Sequence, residues 1–368
     1  MKKILKSKRL WCMLSAPFSL ILLIIADNNS TFVDVYRDYL IIPQIARIYS
    51  LITGIFPFSV AEILIWFVGA GSIVIIIYFI ISIIKKKEKK KFLFNTLFNM
   101  LTVGAVLFSI FILFCGIYYN RRGISEYIGY EEVEEISAEE LYEVCVELAN
   151  QVNELSYANE DMDFSKIAEE TRRAYDNLGK KYSVFSDVYG KPKGVIFSEV
   201  MSYTGIAGVF SPFTMEANVN TAQTSYNIPF DACHEMAHMY GFMREDEANF
   251  IAYLACMESD NDYFKYSGAM LAFILCHNEL FEVDLDLWEK ADELISYSVN
   301  EDLIENSEYW DSLEETEFGE TISDISENIN DTYLKANGQE EGVVSYTRMV
   351  KLMVAKYRYE KNQKSALQ

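Results

Sequence analysis

The chain has 368 residues, is 51% hydrophobic and carries a formal net charge of −22. That charge is segregated: residues 1–118 hold 13 Lys and Arg against 5 Asp and Glu, and the rest of the chain holds 19 against 49. An acidic remainder of this size argues against a nucleic-acid partner, which needs clustered cations, and a basic, apolar front joined to an acidic back implies a membrane part followed by a water-exposed part.

The N-terminus places Lys2, Lys3, Lys6, Lys8 and Arg9 before an apolar run from Leu10 to Ala26. A cleaved signal peptide has the same order, but this run is long for a signal core and no small-x-small cleavage site precedes Asp27, so a retained anchor is expected. A second run, Ser59 to Ile84, has Glu62 as its one charge and stops at the basic block Lys85–Lys91; a third, Leu93 to Tyr119, has no charge. Each can cross a hydrocarbon core of about 30 Å at about 1.5 Å per helical residue. Basic clusters stay in the cytoplasm, so the N-terminus is expected inside and the chain after about residue 120 outside. Arg121 and Arg122 then fall on the outer side. The amphipathic stretch Phe32–Phe58, with Pro43 and Pro57, is expected to lie along the interface or to cover the domain that follows. The expected organisation is a membrane anchor over 1–119, with spans at about 10–26, 59–84 and 93–119, and an extracytoplasmic domain over 120–368.

In that domain Ser137-Ala138-Glu139-Glu140 reads as a capping box, and Leu141, Val144, Cys145 and Leu148 give one apolar helical face. Another helix is expected after Asp163, to about Tyr182. Between Gly194 and Asn220 the Gly, β-branched and aromatic texture predicts two or three short strands. From Pro229 the pattern is helical nearly to the end, with a loop around Asn337-Gly338-Gln339. The fold class is α+β, mainly helical. Of the six cysteines, Cys12 and Cys115 lie in apolar stretches and Cys145 follows them, no CxxC pair occurs, and Cys233, Cys256 and Cys276, on helices read as buried, are expected as free thiols, although export would permit a disulfide.

The chemistry concentrates in Cys233-His234-Glu235-Met236-Ala237-His238-Met239-Tyr240-Gly241. Histidines four apart share a helical face, so His234 and His238 can reach one tetrahedral ion. Glu235 follows the first of them and is placed to exchange protons with a zinc-activated water as general base and acid. Only three histidines occur in the chain, and the third, His277, lies in an apolar run that reads as core. The third ligand is sought in Arg244-Glu245-Asp246-Glu247-Ala248-Asn249. Gly241 can end one helix with positive φ and let the chain turn back, so that Glu245 binds the metal and Asn249, one turn on, holds a ligand histidine. Glu247 is the alternative ligand. Weaker candidates are Glu216 or Asn218 for substrate backbone or an amino terminus, and Tyr240 or Tyr346 for oxyanion stabilisation.

HEMAH followed by EDEAN resembles the gluzincin metallopeptidases, in which HExxH is completed by a glutamate in E-x-x-[AC]-[DN]; Glu245, Ala248 and Asn249 fit, with Asn where Asp is commoner. The gap from His238 to Glu245 is short for that group, and Gly241 stands where metzincins place a glycine. More of the chain is similar to an uncharacterised bacterial membrane family, domain of unknown function 3810, through Pro57–Ser59, Gly208–Asn220, His234–Ala255 and Tyr333–Val350. These resemblances imply a zincin-like domain with a small sheet and bound Zn2+, acting on a peptide or protein substrate beside the lipid bilayer. The rival from another class is a non-catalytic membrane binding or scaffolding protein with a structural zinc.

Overall fold

A computed structural model describes residues 8–39, 41–85, 88–160, 162–187, 189–315, 317–337 and 346–366. The described chain is mainly helical with one small sheet, and it divides into two compact units, residues 1–121 with 211–215, and residues 122–210 with 216–368.

The first unit holds α1 (Lys8–Asp27), α2 (Ser30–Tyr39), α3 (Ile41–Thr53), α4 (Val60–Lys85) and α5 (Lys89–Phe114), the last continued by a 3-10 turn at Gly116–Asn120. Three segments are long and apolar enough to cross a membrane: Lys8–Asp27, Val60–Lys85 and Lys89–Asn120. Their apolar side chains stand largely exposed, among them Ile65, Phe67, Ile73 and Phe94, as lipid-facing side chains do. Polar pairs join the helices: Ser109 donates to Ser15 at 2.8 Å between α5 and α1, and the Tyr36 hydroxyl donates to the Leu113 carbonyl at 2.7 Å. Such bonds hold helices together where apolar burial gives no preference for protein over lipid. Lys2, Lys3, Lys6, Lys86 and Lys87 lie outside the described residues.

The second unit contains α6 (Ile124–Ile128), α7 (Ala138–Leu155), α8 (Phe164–Lys181), β1 (Lys193–Gly194), α9 (Ser198–Ser202), β2 (Gly208–Ser211, its last residue counted with the first unit), β3 (Glu216–Val219), α10 (Asn227–Met239), α11 (Glu245–Met257), α12 (Asp262–Val283), α13 (Leu285–Asp292), α14 (Tyr297–Glu314), α15 (Glu317–Ala336) and α16 (Tyr346–Ala366). Ser137 caps α7 as expected: its hydroxyl accepts from Glu140 N, and the Glu140 carboxylate accepts from Ser137 N. Asp163 caps α8 by accepting from Ser165 N at 2.8 Å. Leu141, Val144, Cys145, Leu148, Ala149 and Val152 bury the apolar face of α7, roughly 1.5–3 kcal/mol for each large side chain. The sheet runs β1-β3-β2, with β1 parallel to β3 in the register Lys193↔Asn218 and Gly194↔Val219. All four residues of β3 are buried.

Two helices are buried on nearly every side and so form the centre of this unit. In α10 Ile228, Phe230, Ala232, Cys233, Met236, Ala237 and Met239 are buried, and in α11 Ala248 and Phe250 through Cys256 are. Neighbours fix α10 through its backbone: the Tyr175 hydroxyl on α8 donates to the Cys233 carbonyl at 2.7 Å, and Ser267 on α12 accepts from Phe230 N at 2.9 Å. The six cysteines are free; Cys12 is exposed, while Cys115, Cys145, Cys233, Cys256 and Cys276 are buried. Of the loop expected around residue 338, Asn337 ends as a turn and Gly338 and Gln339 lie outside the described residues.

Candidate metal centre

The two histidines of α10 and the first residue of α11 meet at one point. His234 Nε2 lies 3.1 Å from His238 Nε2 and 3.1 Å from Glu245 Oε2, and His238 Nε2 lies 3.7 Å from the same oxygen. The chain reaches this arrangement through a tight reversal. Tyr240 N bonds back to Met236 O and Ala237 O, Gly241 takes φ +80°, a conformation glycine enters without steric cost, and α11 begins four residues later.

The far nitrogen of each ring is committed to an acceptor. His238 Nδ1 donates to the Phe242 carbonyl at 2.8 Å, and His234 Nδ1 donates to Asn249 Oδ1 at 2.7 Å. With the proton on Nδ1, a neutral imidazole presents a bare lone pair at Nε2. In that state two lone pairs and a carboxylate oxygen point at one another, an arrangement relieved by a cation at their focus or by a proton on one of the ring nitrogens. Burial disfavours charge on His238, yet the carboxylate of Glu245 outweighs it and pushes that imidazole up to about 9; the same histidines hold Glu245, despite its burial, far below the usual carboxylate range. The site demands positive charge. Ligands at 2.0–2.2 Å around a tetrahedral zinc stand about 3.3 Å apart, and the three separations here bracket that value. The residues fit a zinc ion.

Glu235 stands beside this group; its carboxylate, His234 and His238 each offer a ligand atom within 4.8 Å of the others. It is 4% exposed and accepts no hydrogen bond from any described residue, with Oε2 fully buried. Burial pushes its carboxyl up to about 8, the His238 charge opposing. A carboxyl poised near neutrality and lacking a donor is suited to exchanging protons. The edge of the sheet lies directly over it: a β-carbon at Gly208 would come within 2.7 Å of Glu235 Cγ. One turn before it, Asp231 accepts from Gln223 Nε2 at 2.6 Å, and burial pushes its carboxyl up to about 7 against the pull of that bond.

Glu247 is elsewhere. Both its oxygens hold Arg244, at 2.9 and 2.6 Å, and Oε1 also accepts from Ile124 N at 2.7 Å. Its carboxylate is spent on joining α6 to α11, and Glu245 alone of the two reaches the histidines. Glu216 and Asn218 are not surface strand residues: Glu216 is buried against Lys193 at 2.5 Å, and Asn218 Nδ2 donates to Val209 O at 3.0 Å. Tyr240 is core, its ring stacked on Tyr175 at 4.9 Å. The side chain of Tyr346 lies outside the described residues. His277 is core as well, stacked on Phe273 at 4.8 Å and accepting from the Trp288 indole at Nδ1. Sequence reasoning missed Gly208, the Phe242 carbonyl and Asp231; only Asp231 had a signal, its place one turn before Glu235 on the same helical face.

The family described as protein of unknown function (DUF3810) matches over residues 38–354. No curated protein and no solved structure matches the chain.

Proposed function

The chain belongs to that family, whose description names no activity, and from its own residues we propose that it is a membrane-anchored zinc metallopeptidase with a zincin-like domain outside the cytoplasm. The observation that carries the reading is the convergence of His234 Nε2, His238 Nε2 and Glu245 Oε2, each ring locked with its lone pair inward by Asn249 or Phe242. His234, His238 and Glu245 hold the ion. Zinc, when bound, polarises a scissile carbonyl and lowers the pKa of a water towards about 7.

Glu235 does the proton work. Its unpartnered carboxylate takes the proton of the attacking water and delivers it to the leaving amine, and its burial keeps the affinity for that proton near neutrality. Asn249 and the Phe242 carbonyl fix both ring orientations, so the ligands need no rearrangement when the ion enters. β2 is an edge strand of the described sheet, the position at which a peptide backbone can add as a further strand, and its Gly208 packs directly against Glu235.

A structural zinc in a scaffolding protein would need a fourth protein ligand. Glu247 and His277 are engaged elsewhere, by Arg244 and Trp288, and Glu235, the further carboxylate beside the histidines, is assigned here to proton transfer. The membrane placement rests on the three apolar segments: an odd number of crossings, with Lys8, Arg9, Lys85 and Lys89–Lys91 on the cytoplasmic side, puts residues from about 120 outside. The test is Glu235→Gln in the full chain. Zinc content stays at the wild-type level and peptide hydrolysis falls about 10²- to 10⁴-fold; equal cleavage rates reject the mechanism.

A further inference from the structure

Of the two places open to the amphipathic stretch after α1, the lipid interface and the surface of the following domain, the side chains of α3 favour the first. Ile45, Ile48, Tyr49, Leu51, Ile52 and Ile55 are each between 43% and 77% exposed. They recur three and four residues apart, so they share one face of α3 and of the turn after it. The opposite face, Ala46, Ser50 and Thr53, is small or polar and is buried. A helix in water has the reverse polarity, with its bulky apolar face turned inward and its hydroxyls outward.

The surroundings of α3 are membrane segments. α1 ends at Asp27 and α4 begins at Val60, so α3 lies on the connection between two candidate spans, and it packs on α5, the third. Phe56 and Phe58 continue its exposed face towards the exposed apolar side chains of α4. Arg47 is the one charge between Ile41 and Phe58, so attraction to headgroup charge contributes little and apolar burial dominates.

The buried face of α3 holds a particular partner. Thr53 Oγ1 shares its proton between the Ser50 carbonyl, one turn earlier, and the Thr214 carbonyl, both at 3.1 Å. Thr214 lies in the turn Ser211–Met215, which joins β2 to β3 and groups with the membrane unit. That turn is closely specified: Thr214 Oγ1 donates to Ser211 Oγ at 2.8 Å, and Met215 N donates to the Ser211 carbonyl at 2.7 Å. Met215 takes φ +55°, a conformation that a side chain disfavours and that persists where its surroundings enforce it. From Ser211 the strand β2 runs back to Gly208, which packs on Glu235, a path of roughly 10 Å along extended chain.

We propose that α3 is an interfacial helix whose Ile45–Ile55 face is immersed at the boundary of headgroups and acyl chains, and that its inner face fixes the β2–β3 turn there. The partner is the lipid bilayer, bound by apolar contact and indifferent to anionic headgroups. The strand beside Glu235 is thereby tied to the membrane surface. The proposal rests on the three membrane spans and not on hydrolysis; joined with the peptidase reading, it makes the substrate a segment close to the membrane surface.

Spin-label accessibility tests the placement. The full chain carries Cys12→Ser, which removes the exposed cysteine, and a nitroxide on Ile48→Cys, in phosphatidylcholine nanodiscs. Oxygen, which concentrates in lipid, and a water-soluble nickel chelate serve as relaxing reagents. Phe67→Cys on α4 and Tyr157→Cys in the acidic domain, both strongly exposed, set the lipid and water limits. The oxygen-to-nickel ratio at Ile48 exceeds that at Tyr157 at least about tenfold, with or without added phosphatidylserine. Nickel access equal to that at Tyr157 means solvent, and shielding from both reagents means a protein partner or a second copy; either overturns the proposal. Nickel access at Phe67 removes the spans, and the proposal with them. Hydrogen exchange tests the tether. Thr53→Val removes the donor to Thr214, and Ile48→Gln with Ile52→Gln weakens immersion; each speeds exchange of the Met215 amide by roughly two- to tenfold while amides of α12 keep their rates. An unchanged Met215 rate in either variant overturns the tether.

Discussion

Asn249 gives the sharpest test of the proposed metal centre, because its link to that centre runs through His234. Its Oδ1 accepts from His234 Nδ1 at 2.7 Å, and the imidazole side chain is 13% exposed, so little water is available to replace it. In Asn249→Ala the Nδ1 proton loses its acceptor and the ring loses the bond that turns Nε2 towards Glu245. Removing such a partner typically weakens metal binding 10- to 100-fold, about 1.4–2.7 kcal/mol, which agrees with the cost of a buried hydrogen bond left unmade. Asn249→Asp supplies the same acceptor with a charge, so it holds the ring at least as firmly and makes the nitrogen more basic. The measurement is competition for zinc between the purified full chain and a chromophoric chelator of known affinity, with His238→Ala as the reference for a lost ligand. The expected order is Asn249→Asp at or above wild type, Asn249→Ala lower by one to two decades, and His238→Ala lowest. Wild-type affinity in Asn249→Ala, or an aspartate variant no better than the alanine one, refutes the account of how the ligand is oriented.

Three further outcomes follow from separate contacts. Glu247→Gln breaks a buried pair that also receives Ile124 N, so it lowers unfolding free energy by about 3–5 kcal/mol in denaturant titration, while zinc bound per folded molecule stays unchanged; Glu245→Gln shows the opposite pattern. Gly208→Ala forces a methyl into the Glu235 carboxylate, so peptide hydrolysis falls at least about tenfold with zinc content intact, and undiminished hydrolysis would show that β2 does not press on the base. Asp231 is an acid whose folded pKa is raised to about 7, so between its unfolded value and that point the folded state binds more protons and stability falls as pH rises. Asp231→Asn therefore stabilises the protein by roughly 2–4 kcal/mol at pH 8 and by almost nothing at pH 3, as thermal melts at the two pH values will read; an equal gain at both sinks the linkage argument.

What sequence alone revealed was whatever local rules control. Ser137 and Asp163 announce helix starts because a short oxygen-bearing side chain satisfies backbone donors three or fewer residues away. The separation of His234 from His238, and of Glu245 from Asn249, is one helical turn in each case, so the facing of each pair follows from helix geometry once the helix is assumed. What stayed hidden depends on long-range placement. Glu216 and Asn218 are candidates for substrate contact by sequence because strand side chains usually alternate between core and solvent, but β3 lies between β1 and β2 and all four of its residues are buried. Burial of Glu216 is tolerated because Lys193, on the neighbouring strand, neutralises it. Glu247 competes with Glu245 in any reading of spacing; what removes it is Arg244 three residues earlier, whose guanidinium takes both oxygens. Gly208 carries no local signal of its approach to Glu235, 27 residues later in the chain.

The short connection between His238 and Glu245 has a physical use. Within it, Gly241 reverses the chain at φ +80°, and the very next residue turns its carbonyl onto His238 Nδ1. A longer loop would have to supply that acceptor from a side chain, with rotamer freedom to lose on ordering. Here the backbone that makes the turn also sets the tautomer of the second histidine. The same turn ends at the first residue of α11, where unsatisfied backbone N–H groups favour a carboxylate before any metal arrives. Glu245 is therefore held in place by the helix end and His238 by the turn, and the two are joined by six residues with little freedom to separate. Of the three groups proposed as ligands, His234 takes its orientation from a side chain, that of Asn249, which is why the sensitivity of zinc affinity to that one amide tests the proposed arrangement.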